Sequence, residues 1–253
     1  MAQTTYLITG ANKGIGRAMV QQLLQRANTT AIACVRQPDD PTSVSLKEFE
    51  VAESSRLLVV KLNEPADFAA LQKTLAGQSV SRINTVIANA GHSTGLDKSL
   101  LETTADDVIY DCTVNAAGPL RLFQATWPLL KVSAADSTVT SRFVLISSTM
   151  GSIGVQDEES MPVGTSYGMS KAAANWFAKK ASIDFKDKGL VVGILHPGWV
   201  KTYMGQALAD ALGMKEPPVT TEESAQKCLS QIDNWTPEKN GKFLTNSGQE
   251  LPW

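Results

Sequence analysis

The chain has 253 residues, of which 43% are apolar and 19% charged, and its formal net charge is −2. This balance is typical of a soluble globular domain and gives no reason to expect binding to nucleic acid or to an acidic membrane surface. No apolar run reaches the ~20 residues of a membrane span, and no signal-peptide pattern opens the chain, so we expect a cytoplasmic location. The three cysteines are widely spaced and match no disulfide or metal pattern, which predicts reduced thiols and no metal site.

Short β-branched runs alternate along the chain with longer segments of helical period. This alternation predicts βαβ units and a parallel sheet. The expected strands are Thr5–Thr9, Thr30–Val35, Arg56–Leu62, Thr85–Ala88, Arg142–Ser147, Leu190–His196 and a weaker run at Lys242–Leu244. Most are apolar throughout, as strands are when helices cover both faces of their sheet. We therefore predict one α/β domain over residues 1–253, a doubly wound Rossmann fold with about seven parallel strands.

The predicted helices lie between these strands. In the first, Ile15, Met19 and Leu23 recur four residues apart, which is the spacing of one apolar helix face. The later helices are expected at Pro65–Leu75, Ala105–Leu130, Tyr167–Lys186 and Thr221–Ile232.

Two stretches break the alternation of strands and helices. Residues 151–165 contain glycine, proline and four consecutive polar or acidic residues at 156–159, which predicts a loop. Residues 199–218 follow the sixth strand and contain apolar residues at helical spacing. Because insertions at the carboxyl ends of parallel strands commonly cover the ligand crevice, we predict that both stretches wall a substrate site. Whether Trp199 and Tyr203 line that site or only pack within it stays open.

The first strand and the first helix are joined by a glycine-rich loop, Thr9-Gly10-Ala11-Asn12-Lys13-Gly14-Ile15-Gly16. Small residues let the backbone approach a pyrophosphate, and the helix N-terminus favours its negative charge. A glycine loop alone is weak support, because turns use glycine for many reasons. Its place between a strand and a helix predicts a dinucleotide site that includes Gly10, Asn12, Lys13, Gly14, Ile15 and Gly16.

The end of the second strand bears on the choice between the two nicotinamide cofactors. A cofactor without a 2′-phosphate usually meets an acidic residue there, but this strand ends in Arg36 and no carboxylate follows before Asp39. Lys13 in the glycine loop adds a second positive charge. The two cations predict NADP(H), and the alternative is that both are ordinary solvated surface charges.

Two further segments are expected to contact the cofactor. Asn89-Ala90-Gly91 follows the fourth strand, where it would lie against the adenosine ribose or form a turn that stabilises the sheet. Leu62 and Asn63 end the third strand, where the amide of Asn63 is placed to pair with the adenine edge.

Tyr167 and Lys171 lie four residues apart in Ser166-Tyr167-Gly168-Met169-Ser170-Lys171. A phenol and an ammonium one helical turn apart share a helix face. The cation is then expected to lower the pKa of the phenol and prepare it for acid–base work. Together with the glycine loop, this pair predicts a nicotinamide-dependent oxidoreductase.

Taken in order, these motifs resemble the short-chain dehydrogenase/reductase family over essentially the whole chain. The resemblance runs through the glycine loop, Asn89-Ala90-Gly91, Asn115, Ser147-Ser148, Tyr167-x-x-x-Lys171 and Pro197-Gly198-Trp199-Val200-Lys201-Thr202. Within the family, the glycine loop and the Pro-Gly-Trp-Val segment look most like the carbonyl reductase and C-factor-like branch. The opening strand and loop also resemble norsolorinic acid ketoreductases. Two features depart from the family pattern: Asn63 stands where it usually has Asp, and the interval from Ser148 to Tyr167 is longer than in its shortest members.

The resemblance implies a role for each motif residue. Tyr167 would protonate the substrate oxygen during reduction, and Lys171 would hold the nicotinamide ribose. Ser148 would polarise the substrate carbonyl, with Ser147 as the competing candidate. Asn115 would hold a water that links Lys171 to solvent, or would act as a buried bridging amide.

The resemblance also implies how the nicotinamide is held and what the enzyme does. The nicotinamide carboxamide would meet Pro197, Gly198, Val200 and Thr202. The expected function is an NADPH-dependent ketoreductase acting on an aromatic or polycyclic ketone. Its alternatives are a non-catalytic dinucleotide sensor and an extended-branch epimerase or dehydratase. Family members commonly pair through the helices that carry Asn115 and Tyr167, which implies a homodimer or homotetramer.

Overall fold

The fold is seen in a computed structural model that describes residues 3–136, 138–157 and 161–253. Three residues of the loop predicted over 151–165, Glu158, Glu159 and Ser160, lie outside these ranges. The strands are β1 Thr4–Thr9, β2 Thr29–Val35, β3 Arg56–Lys61, β4 Thr85–Ala88, β5 Ser141–Ile146, β6 Leu190–His196 and β7 Phe243–Thr245. They form one sheet in the order β3-β2-β1-β4-β5-β6-β7, with every neighbouring pair parallel. The predicted seven-stranded parallel sheet is confirmed.

Helices cover both faces of the sheet. They are α1 Gly14–Leu24, α2 Pro41–Val44, α3 Pro65–Ala76, α4 Ala105–Cys112, α5 Gly118–Ala134, α6 Thr165–Asp184, α7 Tyr203–Ala211 and α8 Thr221–Asp233. One apolar cluster joins the sheet to α1 and α8, and the other joins it to α3, α5 and α6. No helix in the described part of the chain is both long and apolar enough to cross a membrane.

The order of the strands reverses direction at β1, which lies between β2 and β4. In open parallel sheets, the crevice at the carboxyl ends of such strands is where ligands bind. The glycine loop leaves β1 at this point, and Asn89 follows β4. The fold therefore places both predicted cofactor segments at the mouth of one crevice.

The single helix predicted over Ala105–Leu130 is wrong in its middle. Helix α4 ends at Cys112, a π-helical turn covers Thr113–Ala117, and α5 begins at Gly118. Pro119 has no N–H to donate to the carbonyl of Asn115 four residues earlier, which disfavours α-helical pairing there. The N–H of Gly118 instead reaches the carbonyl of Thr113, five residues back. Asn115 is thus held within a break between two helices.

Residues 199–218, the segment after β6 that was predicted to wall the substrate site, have their two ends joined to each other. Val200 and Val219 form a parallel bridge, and Lys201 Nζ lies 2.8 Å from Glu216 Oε1. Helix α7 begins within it, where the hydroxyl of Thr202 accepts a hydrogen bond from the N–H of Gly205 at 3.0 Å. The segment therefore contains one helix, α7, and its two ends are joined to each other beside the end of β6.

Candidate active site

The glycine loop is held against the end of β4 by its neighbours. The hydroxyl of Thr9 accepts hydrogen bonds from the N–H groups of Asn89 and Ala90, both at 3.0 Å, and Asn89 Nδ2 donates to the carbonyl of Thr9 at 2.9 Å. Gly10 has φ +64°, and a Cβ there would lie 3.0 Å from Ala90 Cα. The Asn89 side chain therefore stabilises the sheet, and the contact of residues 89–91 with the adenosine ribose stays a prediction.

Helix α1 opens directly on the crevice with Gly14, Ile15 and Gly16 in its first turn. Lys13 is the N-cap residue, no described side chain caps the helix, and the first turn contains no acidic residue. Its first backbone N–H groups are therefore available to an anion. A Cβ on Gly14 would lie 3.1 Å from Thr202 Cγ2, so the segment after β6 packs directly on the glycine loop.

A small polar network follows the end of β2, and sequence reasoning missed it. Asn12 Nδ2 donates to Thr42 Oγ1 at 2.7 Å. The N–H of Thr42 donates to Asp40 Oδ1 at 2.9 Å, and the Thr42 hydroxyl bonds the same oxygen. Asp40 is thus the N-cap of α2. The motif Asp40-Pro41-Thr42, with proline at the first helical position, is a recognisable helix start and was the available signal.

The two predicted phosphate-binding cations, Lys13 and Arg36, are exposed beside this network. The two hydrogen bonds from Thr42, and to a lesser extent the charges of Lys13 and Arg36, hold the pKa of Asp40 below its ordinary value. Arg36, Asp40 and Lys61 line an open pocket of ≈ 540 Å³. The end of β2 therefore holds a carboxylate as well as the predicted cations.

The two residues that follow β3 have local roles. Leu62 is buried, and its N–H donates to the carbonyl of Val35 at 2.8 Å, extending the pairing of β3 with β2. Asn63 Nδ2 donates to Glu64 Oε1 at 2.7 Å, and its N–H donates to Asp67 at 2.9 Å. One N–H of the Asn63 side chain is therefore bonded at the start of α3, and the pairing of this amide with adenine stays a prediction.

The four predicted catalytic residues converge at the carboxyl ends of β4 and β5. Lys171 Nζ lies 5.5 Å from the centre of the Tyr167 ring on α6. Gly91 lies between Lys171 and Asn115, since a Cβ on Gly91 would be 3.5 Å from both Lys171 Nζ and Asn115 Oδ1. Ser148, two residues after β5, hydrogen-bonds the phenol of Tyr167.

The two serines that follow β5 have different partners. Ser147 is buried, and its hydroxyl donates to Asn175 Oδ1 at 2.5 Å. Asn175 Nδ2 in turn donates to the carbonyl of Gly151 at 3.1 Å, which fixes the turn containing Ser148 against α6. The geometry therefore favours Ser148 over Ser147 as the partner of Tyr167.

The side chain of Asn115 is a buried bridge. Its Nδ2 donates to the carbonyl of His92 at 2.7 Å and to Ser170 Oγ at 2.8 Å. Its Oδ1 accepts from the N–H of His92 at 2.8 Å. Ser170 Oγ donates to the carbonyl of Tyr167 at 2.7 Å. Asn115 thus connects the loop after β4 to the helix that carries the acid–base pair.

A family model described as short chain dehydrogenase matches residues 4–213. The chain is 35% identical to the norsolorinic acid ketoreductase of Dothistroma septosporum, over 99% of its own length and 93% of that protein. It is 36% identical to a short-chain dehydrogenase of Pyricularia oryzae, over 99% of its own length and 98% of that protein. The chain belongs to the short-chain dehydrogenase/reductase family. The resemblance read from its motifs is confirmed, and by family it is an oxidoreductase.

A solved structure gives the same result for the fold. The NADPH-bound carbonyl reductase from chicken fatty liver superposes with a TM-score of 0.86 at 31% identity, and the match covers all of both chains. This likeness extends from the glycine loop to the segment after β6, so the crevice described above lies within the shared architecture.

In this short-chain dehydrogenase, burial controls the protonation of the acid–base pair. Burial raises the pKa of Tyr167 above its ordinary value, the hydrogen bond with Ser148 lowers it, and the charge of Asp111 raises it further. Burial also lowers the pKa of Lys171 to about 8. Lys171 is not among the causes of the Tyr167 pKa shift, and removal from water disfavours the charged form of both side chains. The lowering of the Tyr167 pKa by Lys171 stays a prediction.

The ammonium of Lys171 has capacity for a ligand. The residue is 3% exposed, and among the described residues Nζ donates one hydrogen bond, to the carbonyl of Ile146 at 3.0 Å. An ammonium has three N–H groups, and a buried one is stable only when it is well paired. The remaining two fit the hydroxyls of a ribose.

The predicted nicotinamide segment, Pro197–Thr202, is held in place from behind. The carbonyl of Pro197 accepts from Ser224 Oγ at 2.8 Å and from Asn246 Nδ2 at 2.7 Å. Gly198 has φ +88°, and Val200 is buried. The segment is therefore held from behind by hydrogen bonds from α8 and from the residue that follows β7.

Three further side chains near the crevice can now be placed. His196 Nδ1 accepts from the N–H of Thr149 at 3.3 Å, and burial lowers the His196 pKa to about 4, so it is a neutral structural histidine. Trp199 Nε1 donates to the carbonyl of Gly205 at 3.0 Å, which ties it to α7. Tyr203 is 95% exposed and does not pack within the fold.

Proposed function

We propose that this enzyme reduces a ketone to the secondary alcohol with NADPH. The observation that carries the proposal is the convergence of Ser148, Tyr167 and Lys171 at the mouth of a crevice lined by the glycine loop. Two relatives named norsolorinic acid ketoreductases, 35% and 33% identical, and the NADPH-bound carbonyl reductase structure support the same reaction class.

The residues present fit a dinucleotide cofactor, which when bound supplies the hydride. The uncapped N-terminus of α1 would hold the pyrophosphate. The two remaining N–H groups of Lys171 would hold the nicotinamide ribose. Val200 and Thr202 would hold the carboxamide, and Lys13 and Arg36 the 2′-phosphate.

Tyr167 gives its phenolic proton to the substrate's carbonyl oxygen. Its raised pKa keeps the phenol protonated at neutral pH, which is the form that a general acid needs in the reducing direction. Ser148 donates a hydrogen bond to the same carbonyl oxygen as negative charge develops there. Once the proton has left, the ammonium of Lys171 stabilises the phenolate.

The proton on Tyr167 must then be replaced from solvent. The side chain of Asn115 is bonded to His92 and Ser170 through both its Nδ2 and its Oδ1. The backbone carbonyl of Asn115 is therefore the better candidate for holding a water. Pro119 cannot donate to that carbonyl, which leaves it able to accept from a water near Lys171. The helix break thus gives Asn115 a role in the proton path.

We infer that the substrate is a large apolar ketone of aromatic or polycyclic type. The two segments predicted to wall the site expose large apolar side chains, which would be unfavourable in water without an apolar ligand to cover them. They are Ile153, Met161, Tyr203 and Met214. The names of the ketoreductase relatives point to the same substrate class.

We also infer a homodimer or homotetramer formed through α4, α5 and α6. These helices expose large apolar side chains on their outer surface: Ile109, Leu120, Met169, Trp176 and Ile183. A surface of this kind is typical of an interface between copies of one chain.

The proposal is tested with Tyr167→Phe, and Tyr6→Phe is the matched control. Tyr6 lies on β1 and its hydroxyl bonds Asp233 on α8, away from the glycine loop. We expect Tyr167→Phe to lose at least about a thousandfold in kcat on an aromatic ketone panel while its Kd for NADPH stays unchanged. Tyr6→Phe should retain turnover. Turnover in Tyr167→Phe within a fewfold of wild type would refute the acid assignment, and NADPH binding without turnover in the wild type would favour the sensor alternative.

A further inference from the structure

Asp111 on α4 has a carboxylate that none of the roles above uses. The residue is completely buried. Oδ1 accepts from the N–H of Thr94 at 3.0 Å, and Oδ2 accepts from Ser166 Oγ at 2.8 Å. His92 Nδ1 lies 3.4 Å from Oδ1. Burying a carboxylate is unfavourable unless it is bonded or paired, so its position among these groups requires an explanation.

The partners of Asp111 adjoin the acid–base group on both sides. Ser166 directly precedes Tyr167 in the first turn of α6. His92 directly follows Gly91, and Asn115 bonds its backbone at both the N–H and the carbonyl. One carboxylate therefore links the start of the catalytic helix to the loop after β4.

The charge of Asp111 reaches three titratable groups on three different segments. His92 faces it from the loop after β4, Cys112 from its own helix, and Tyr167 from α6. The carboxylate raises the pKa of both Cys112 and Tyr167, and in each case its effect is smaller than that of burial. The imidazole of His92 is half-exposed and lies edge-on to Tyr110, with ring centres 5.1 Å apart.

We propose that Asp111 is a positioning residue for proton transfer, which fixes Tyr167 through Ser166 and holds a buried negative charge at the start of the helix that carries Tyr167. This inference rests on the proposed function. The carboxylate disfavours the phenolate, so it keeps Tyr167 in the acid form over a wider range of pH. The Ser166 hydrogen bond holds the backbone from which Tyr167 reaches the substrate.

Two variants distinguish the effect of the Asp111 charge from that of its hydrogen bond with Ser166, which is called the tether below. Asp111→Asn keeps the size of the side chain and can still bond Thr94 and Ser166, but it removes the charge. Ser166→Ala keeps the charge and removes the tether. Asp106→Asn makes the same charge change at an exposed position of α4 and is the matched control.

The first readout is the pH profile of kcat for ketone reduction, with KM measured alongside. In the wild type, kcat should decline at alkaline pH in two steps: Lys171 loses its ammonium proton near pH 8, and the loss of the phenolic proton of Tyr167 causes the later fall. Asp111→Asn should move that fall to lower pH by about one unit, because the phenolate is no longer opposed by a neighbouring charge. Ser166→Ala should lower kcat about tenfold without moving the profile, and Asp106→Asn should do neither.

The second readout needs neither cofactor nor substrate. Cys112 is partly exposed, whereas Cys34 and Cys228 are buried, so alkylation by iodoacetamide reports on Cys112. Removing the adjacent carboxylate should raise the thiolate fraction and speed alkylation several-fold in Asp111→Asn but not in Asp106→Asn. A folded Asp111→Asn with unchanged alkylation would overturn the inference, as would one that is active with an unmoved pH profile. A wild type that reduces no ketone with NADPH would instead refute the proposed function.

Discussion

The two ends of the proposed cofactor crevice differ in what shifts the pKa values of their charged side chains. At the nicotinamide end, Lys171 is buried, and removal from water alone lowers its pKa to about 8. At the adenosine end, Lys13 and Arg36 are exposed, and hydrogen bonds from Thr42 affect Asp40 more than either cation does. Desolvation dominates the first end, whereas solvent screening weakens the charges at the second.

The difference predicts different consequences of mutation at each end. Buried groups such as Ser148 and Lys171 have fixed partners, so a substitution there changes transition-state stabilisation or the free energy of unfolding. An exposed cation such as Arg36 contributes mainly through net charge. Its loss should change cofactor affinity in a salt-dependent way and leave catalysis and folding nearly unchanged.

Smaller than the loss expected for Tyr167→Phe, but still large, is the effect on kcat expected for the two adjacent serines at the buried end. Ser148→Ala should lower kcat by about a hundredfold or more, because the developing charge on the substrate oxygen loses a positioned donor. Ser147→Ala, the matched control, loses only the hydrogen bond to Asn175 and should lower kcat less than about fivefold. Steady-state kinetics with NADPH and one ketone measures both. A greater loss in Ser147→Ala would reverse the assignment of the two serines.

A smaller effect, on stability, is expected for Lys171. Its pKa falls from 10.5 in the unfolded chain to about 8 in the fold, so burying the charge opposes folding by about 3 kcal/mol at neutral pH. Between pH 8 and 10.5 the unfolded state binds more protons than the folded state, so this group's contribution to stability rises with pH. Lys171→Met should therefore be inactive but more stable at pH 7, and its advantage over wild type should shrink as the pH approaches 10.5.

Urea unfolding at a series of pH values measures that advantage. Lys180→Met, at an exposed position on the same helix, is the control and should shift stability little at any pH. A stability difference between Lys171→Met and wild type that does not vary with pH would mean that Lys171 is charged throughout in the fold.

The fold was largely predictable because its strands are continuous apolar runs separated by helical periods. The break at Thr113–Ala117 was missed because the helical spacing of apolar residues continues through it. Pro119 was visible in the sequence, but proline also occurs in helices as Pro128 does in α5. Whether a proline breaks a helix depends on what the freed carbonyl and its neighbours then contact, which is a tertiary property.

The site was predictable where a motif fixes the spacing, as for Tyr167 and Lys171, and not where partners come from distant segments. Asp111 follows Asp106 and Asp107 on a helix, so in sequence it is indistinguishable from a solvated acidic face. Only the packing of α4 against α6 makes it buried. The effect of burial on the Tyr167 pKa was missed, because burial cannot be read from the spacing of two residues.

The smallest effect is expected for Arg36 at the exposed end. Arg36→Ala should weaken NADPH binding about tenfold and leave NADH binding unchanged, since only NADPH has the 2′-phosphate. The preference of the wild type for NADPH should itself decline as salt is added, because the cation is exposed. Fluorescence titration at low and high salt measures both cofactors.

Lys73→Ala removes an exposed cation from α3 and is the control for a general change in net charge. Equal weakening of NADPH in both variants would mean that overall charge, not a local contact, attracts the phosphate. Equal binding of NADPH and NADH by the wild type would mean that the Asp40 carboxylate offsets the two cations, because it lies within reach of both. The exposed end would then not discriminate between NADPH and NADH. The two ends would differ in function as well as in the strength of their charges, because only the buried end would act on the reaction.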